Sequence, residues 1–137
     1  MNQEATLEKK VLLETTVDYS SMNYDKYWLC LEGQKVFAYG YQHMDDNYMD
    51  WGYTRWEAEV PRRQVEQAMS DALEKGQSKL EVETLVKKEK NNRWGSYGGL
   101  EKETTEYHYK IRIEMTKKDG NKLVLMNHFQ EQMNIYL

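Results

Sequence analysis

The stretch TTEYHYKIRIEM, residues Thr104 to Met115, alternates between apolar and polar side chains along most of its length. The two alternating sets are Tyr107, Tyr109, Ile111, Ile113 and Met115 against Glu106, His108, Lys110, Arg112 and Glu114. Such alternation is typical of a β-strand with one buried face. The following KKDGNK predicts a hairpin turn around Asp119-Gly120, and KLVLMN, Lys122 to Asn127, then returns as the antiparallel partner.

Four segments ahead of this hairpin also predict strands, from their β-branched content or their alternation. They are Val11 to Val17, Lys26 to Leu31, Lys35 to Gln42 and Thr54 to Val60. The sequence Glu32-Gly33-Gln34 predicts a tight turn between the second and the third. Along the third, three rings alternate with three smaller residues, which places the sets on opposite faces: Phe37, Tyr39 and Tyr41 against Val36, Ala38 and Gly40.

One helix is predicted at residues 61–75, because Pro61 suits the first helical position and Gly76 suits the left-handed residue that ends a helix. Its apolar stripe is narrow and made mostly of small residues: Val65, Ala68, Met69, Ala72 and Leu73. A stripe of this kind predicts close packing on a sheet.

The remaining segments are less regular. Lys79 to Lys90 begins as a strand and runs into charge, and Asn91 to Gly99 has the composition of a loop. For residues 128–137 we expect a short helix, with a further strand as the alternative. The expectation is one domain, residues 1–137, of the α+β class. It comprises a mainly antiparallel sheet of about six to seven strands packed against the principal helix at 61–75, with the short C-terminal helix.

Composition limits the classes of function. The chain has 137 residues, a net charge of -4 and four Trp and eleven Tyr, and this aromatic content argues against disorder. Residues 1–60 hold 5 Lys/Arg and 11 Asp/Glu, whereas residues 61–137 hold 14 and 12. The single cysteine, Cys30, excludes a disulfide within one chain, and we expect neither a signal peptide nor a membrane-spanning stretch. The expected location is the cytoplasm.

Catalytic and metal sites find little support in the sequence. His43, Asp45, Asp46 and Asp50 are close in sequence, but their spacing does not fit a calcium loop or a zinc site. No serine lies in a nucleophile elbow, and mid-strand Cys30 is interpreted as a small filler. We therefore expect no metal, no cofactor and no enzymatic activity, although a small enzyme with a site near His108 stays an alternative.

The stretch HMDDNYMDWGYTRWE, His43 to Glu57, mixes acids with large rings and carries the functional prediction. Rings as anchors and charges as steering groups are typical of protein–protein contacts. The predicted partner-binding residues are Asp45, Asp46, Tyr48, Asp50 and Trp51. The alternative for the rings is that they simply close one end of the sheet.

The predicted function is that of a non-enzymatic protein-binding or inhibitor protein, and the predicted partner is another protein with a basic surface. By size and charge alone, the profile suits immunity proteins and counter-defence proteins of phages or mobile elements that inhibit nucleic-acid enzymes. The half-buried rings could also serve a homodimer. The main alternative is a nucleic-acid or nucleotide-binding module that uses the basic 87–97 loop with Tyr107 and Tyr109. Direct nucleic-acid binding is less favoured, because such proteins normally carry a basic excess.

Overall fold

Seven strands and one helix make up most of the computed structural model, which describes residues 8–20, 22–45, 51–93 and 100–129. In chain order they are β1 (Lys9–Asp18), β2 (Tyr24–Glu32), β3 (Lys35–Asp45), β4 (Trp51–Val60), α1 (Arg62–Lys75), β5 (Gln77–Arg93), β6 (Leu100–Lys118) and β7 (Lys122–Phe129). The strands lie in one sheet in the order of the chain, and each pairs antiparallel with the next. No helix in these ranges is long and apolar enough to cross a membrane.

The sheet curls until its first and last strands meet, which gives a nearly closed barrel. The backbone N–H of Leu125 in β7 donates to the hydroxyl oxygen of Thr15 in β1, at 2.8 Å. The expected α+β class, a sheet packed against a helix, is therefore wrong: the chain is mainly β. The physical reason is that the twist of seven strands, each paired with the next, brings the sheet back on itself, so its inner face packs largely against itself.

The helix α1 fills one end of the barrel. Its buried residues Val65, Ala68 and Ala72 belong to the same core cluster as buried residues from β2 to β7. The helix ends at Gly76, where φ is 96° and the N–H donates to the carbonyl oxygen of Ala72. We call this end, which also holds the β2–β3 and β6–β7 turns, the helix end. The opposite end, where Asp45 pairs with Trp51 and Arg93 pairs with Leu100, is the loop end.

Two segments differ from the sequence-based expectation. Asn91 to Arg93, expected as loop, continue β5, because charged and polar residues pair across the strands, as in Lys87 with Glu106 and Asn91 with Lys102. His128 and Phe129, expected at the start of a C-terminal helix, belong to β7 and pair with Arg112 and Ile111. The rest of both segments, 94–99 and 130–137, lies outside the described residues.

Candidate functional site

The hairpin β3–β4 carries the stretch that the sequence singled out. Its strands pair as far as Asp45 and Trp51, which places these two predicted binding residues opposite each other at the loop end. The other three, Asp46, Tyr48 and Asp50, lie outside the described residues. Trp56, from the same stretch, faces the barrel interior, where its ring is stacked on that of Phe129 with centroids 5.8 Å apart. One of the two indoles of this stretch therefore serves the core.

The outer surface of β2, β3 and β4 holds a continuous group of rings, which we call the outer aromatic face. It consists of Tyr24, Trp28, Phe37, Tyr39, Tyr41, His43 and Tyr53. Tyr39 is buried by its neighbours, and the other six rings are half-buried. The alternation along β3 predicts the positions of Phe37, Tyr39 and Tyr41, but joining them to the rings of β2 and β4 requires the strand register.

The rings of this face contact one another in a defined order. Tyr24 stacks on His43 with centroids 5.3 Å apart, and Tyr41 stacks on Tyr53 at 5.5 Å. Tyr24 and Tyr41 connect these pairs at 5.9 Å. A ring held between others loses few rotamers on binding, so such a group costs little conformational entropy when a partner docks on it.

Towards the helix end, the group continues with Trp28 and Tyr39, whose rings stack at 4.9 Å. The hydroxyl of Tyr39 donates to the Glu32 carboxylate, and the Arg55 guanidinium lies 5.7 Å from the Tyr39 ring centre. Burial, followed by the hydrogen bond to Glu32, raises the pKa of Tyr39. Burial also raises the pKa of Tyr41. Both phenols are therefore neutral donors at physiological pH.

The inner side of β3 explains why its rings face outward. Val36 and Ala38 are buried, and a Cβ added to Gly40 would lie 2.7 Å from Cε2 of Phe129 and 3.3 Å from Cε3 of Trp56. The interior has no room for a larger side chain at position 40, and in this part of β3 the large residues lie on the outside.

The charges on the outer side of β1 to β4 are nearly balanced. Among the described side chains there are five carboxylates and four cations: Glu14, Asp18, Glu32, Glu57 and Glu59 against Lys9, Lys26, Lys35 and Arg55. Two of the cations pair with carboxylates, Lys26 with Glu14 at 3.2 Å and Lys35 with Glu59 at 3.7 Å. The acidic excess of the first sixty residues is thus not spread across these rings.

The residues on which the alternative functions depend lie outside the outer aromatic face. Tyr107 and Tyr109 are on the inner side of β6 with ring centroids 5.0 Å apart, and Tyr107 is 42% exposed. His108 is exposed on the outer side of β6, opposite Leu85, where the structure gives it no hydrogen bond or ion pair among the described residues. Cys30 is buried, and burial raises the pKa of its thiol. Across the described ranges, no three His, Cys, Asp or Glu side chains lie close enough to hold a metal ion.

Comparison with known protein families, curated proteins and solved structures gives no match, so the functional proposal depends on the geometry of this chain alone.

Proposed function

We propose that this chain is a non-enzymatic protein-binding or inhibitor protein that docks on another protein through the outer aromatic face. The observation that supports this is the contiguous set of half-buried, mutually stacked rings on the side of the sheet opposite the core. Aromatic residues are enriched at the energetic centres of protein interfaces, because they bury a large area with few rotatable bonds. The phenol groups add hydrogen-bond donors and acceptors at the rim.

The predicted acidic residues are proposed to take part in the same contact. β3 and β4 lead from its rings to the loop end, where Asp45 pairs with Trp51 and where Asp46, Tyr48 and Asp50 follow in the sequence. A partner with a basic rim would complement these acids, which would speed encounter more than they strengthen the complex. A protein that binds nucleic acid carries such a surface, so an immunity or counter-defence inhibitor of a nucleic-acid enzyme is the proposed kind of protein.

Two further statements belong to the same proposal. The proposed location is the cytoplasm, because the single cysteine suits a reducing compartment. A second copy of the chain is the other partner that a face of stacked rings could accept, and the experiment below separates it from a different protein.

The alternative function is nucleic-acid binding by the inner side of β5 and β6. The adjacent rings of Tyr107 and Tyr109 favour it, as do Lys88 and Lys90, which lie on the same side of the neighbouring strand. Rings beside cations are how single strands are bound without sequence preference. Binding of single-stranded oligonucleotides that weakens steeply with salt and is lost on Tyr107→Ser would favour this alternative.

The experiment compares three purified baits in extract of the native host: the unchanged chain, the double variant Tyr41→Ser with Tyr53→Ser, and Tyr107→Ser. Tyr107→Ser is the matched control, since it removes an exposed tyrosine from the inner side. Circular dichroism and thermal unfolding first verify that all baits are folded. We expect one protein retained by the unchanged chain and by Tyr107→Ser, with at least tenfold weaker retention by the double variant.

The captured protein is then purified, and its affinity for each bait is measured by calorimetry. Sedimentation of the bait alone distinguishes a self-associating chain from one that binds a different protein. Equal affinity of the folded double variant and the control for the partner would overturn the proposal, as would self-association as the only interaction found.

A further inference from the structure

The strand β6 is paired unequally along its two edges. On one edge it pairs with β5 from Leu100 to Thr116. On the other edge it pairs with β7 only from Ile111 to Lys118. No described strand pairs with the remaining part of this second edge, residues 100–110, which we call the loop-end edge of β6. An uncovered edge of this length is a template for pairing with another chain, and natural proteins usually cover such an edge.

The strand β7 leads directly to the loop-end edge of β6. Its last described residue, Phe129, pairs with Ile111, and the pairing continues from Lys122 to this point without a register shift. In the same register, residues 130–137 would lie opposite residues 110–103. The chain therefore supplies a segment of sufficient length at the position where the loop-end edge begins.

The sequence of residues 130–137, QEQMNIYL, continues the alternation of β7. In β7 the odd-numbered residues from Leu123 to Asn127 are buried on the inner side, and the residues between them are half-buried on the outer side. Continued alternation assigns the inner side to three apolar residues, Met133, Ile135 and Leu137, and the outer side to Gln130, Gln132, Asn134 and Tyr136. Only Glu131 departs from this pattern. Once the register of β7 is known, the segment therefore favours a strand over the helix expected from the sequence alone.

The side chains along the loop-end edge are compatible with such a strand. Tyr107, on the inner side, is 42% exposed, although its partner on β5, Val86, is buried. In the continued register Met133 lies opposite Tyr107, where its thioether would cover part of the ring. On the outer side every residue of the segment is uncharged, so no like charges oppose each other across the pair.

The hydrogen bonds of β7 indicate which backbone groups of β6 face the loop-end edge. The N–H of Leu125 points away from β6, since it donates to Thr15 in β1. Leu125 and its partner Met115 therefore form a non-hydrogen-bonded pair, and such pairs alternate with hydrogen-bonded ones along two antiparallel strands. By this alternation, the loop-end edge presents the N–H groups of Glu106, His108 and Lys110.

We propose that residues 130–137 continue β7 and pair antiparallel with residues 103–110 of β6. In this arrangement the segment covers the loop-end edge, so that the edge is not available to a second copy of the chain or to a strand of another protein. The segment follows Phe129 directly, so its pairing requires neither the closure of a loop nor the association of a second molecule, both of which cost entropy. The proposal is independent of docking through the outer aromatic face, which lies on β2, β3 and β4.

The first test is a disulfide that forms only in this register. Positions 107 and 133 would be a non-hydrogen-bonded pair with Cα atoms about 4.5 Å apart, which a disulfide can bridge. The 137-residue chain with Cys30→Ala, Tyr107→Cys and Met133→Cys is oxidised with a glutathione buffer, and we expect an intramolecular disulfide in most molecules. The matched control replaces Met133→Cys by Gln132→Cys, whose side chain would point to the other side of the sheet. It should form at least tenfold less disulfide.

The second test is amide hydrogen exchange of the unchanged chain, followed by NMR. On an uncovered edge, N–H groups that face solvent exchange fast, and they alternate along the strand with slowly exchanging N–H groups that are bonded to the neighbouring strand. We expect slow exchange without alternation from Glu106 to Lys110. Gln132→Pro removes an N–H that would donate to the carbonyl oxygen of His108, and it should make the exchange alternate.

Three results would overturn the proposal. They are equal disulfide yields from the two cysteine pairs, alternating exchange along the loop-end edge of the unchanged chain, and protection of this edge that rises with protein concentration. The last result would mean that a second copy covers the edge, as would a disulfide that links two chains on a non-reducing gel. Circular dichroism verifies that every variant is folded, and the exchange pattern of the unchanged chain decides the question if a variant is not.

Discussion

The ring of Phe129 lies where a side chain at position 40 would begin. A Cβ built on Gly40 would be 2.7 Å from Cε2 of Phe129, closer than carbon atoms approach in proteins. The two residues belong to β3 and β7, which are not neighbours in the strand order. This contact between β7 and β3 contributes to the closure of the barrel.

The first prediction concerns this approach. Gly40→Ala should lower the free energy of unfolding by about 1–3 kcal/mol, because the added methyl group must displace a ring that is stacked on Trp56. Chemical denaturation measures the change. In a Phe129→Ala background the same substitution should cost at least about 1 kcal/mol less, since the obstructing ring is gone. Equal costs in both backgrounds would show that position 40 does not depend on Phe129.

The second prediction concerns Asn127, which is 2% exposed on the inner side of β7. Its amide donates to the carbonyl oxygens of Trp28 and Tyr39, at 3.3 and 3.0 Å. Asn127→Asp replaces this donor by a buried carboxylate that faces two carbonyl oxygens. At neutral pH it should lower the free energy of unfolding by more than about 3 kcal/mol. Asn127→Leu, which is apolar and of similar size, should lower it by less.

The cost of Asn127→Asp should depend on pH with a definite sign. Burial raises the folded-state pKa of the new carboxyl above its unfolded value of about 3.9, so the folded state holds the proton more tightly. The free energy of unfolding of the variant, relative to that of the unchanged chain, should therefore be highest below the unfolded-state pKa of about 3.9. It should lose up to about 1.4 kcal/mol per pH unit as pH rises towards the folded pKa. A difference that does not change with pH would contradict the burial of this side chain.

The third prediction concerns alkaline titration. Burial and Asp25 raise the pKa of Tyr27, and burial and the hydrogen bond to Glu32 raise that of Tyr39, so both phenols ionise later in the folded chain than in the unfolded one. Their contribution to stability is present below the ordinary tyrosine pKa of about 10 and is lost as pH rises above it. Tyrosinate absorbance should show a late phase that coincides with unfolding, and Tyr27→Phe should reduce it. A single step for all eleven tyrosines at the unfolded-state pH would contradict this.

The fourth prediction concerns Cys30, which is 4% exposed. Burial, reinforced by the nearby Glu32, raises the pKa of its thiol, and both access and thiolate fraction limit reactivity. A thiol reagent should therefore modify Cys30 at the rate of opening or unfolding of the chain. An exposed thiol from Lys110→Cys in a Cys30→Ala background should react at least a hundredfold faster. Similar rates for the two cysteines would show that Cys30 is accessible in the folded state.

The local elements could be predicted from the sequence because each depends on neighbouring residues. Alternation identifies β6 and the outward rings of β3, and Pro61 and Gly76 delimit α1, although Pro61 is the capping residue and not the first helical one. The extension of β5 to Arg93 was missed, because the charges of that segment are typical of a loop when the opposing strand is unknown.

Closure of the barrel could not be predicted, because it depends on contacts between distant residues. Thr15 and Leu125 are 110 positions apart, and neither has a local feature that indicates the other. The α+β expectation was wrong for this reason. The outer aromatic face shows the same limit, since Tyr24, Tyr41 and Tyr53 come from three strands whose register places their rings in contact. Asp46, Tyr48 and Asp50 remain predicted residues only.

The most direct test of the central claim is photo-crosslinking in the native host. A photoreactive benzoylphenylalanine replaces Tyr41 in one strain and Tyr107 in another, and illumination links each chain to whatever touches that position. Docking through the outer aromatic face predicts a discrete adduct with one other protein from position 41 and none from position 107. No adduct from position 41, or the same adducts from both positions, would contradict it.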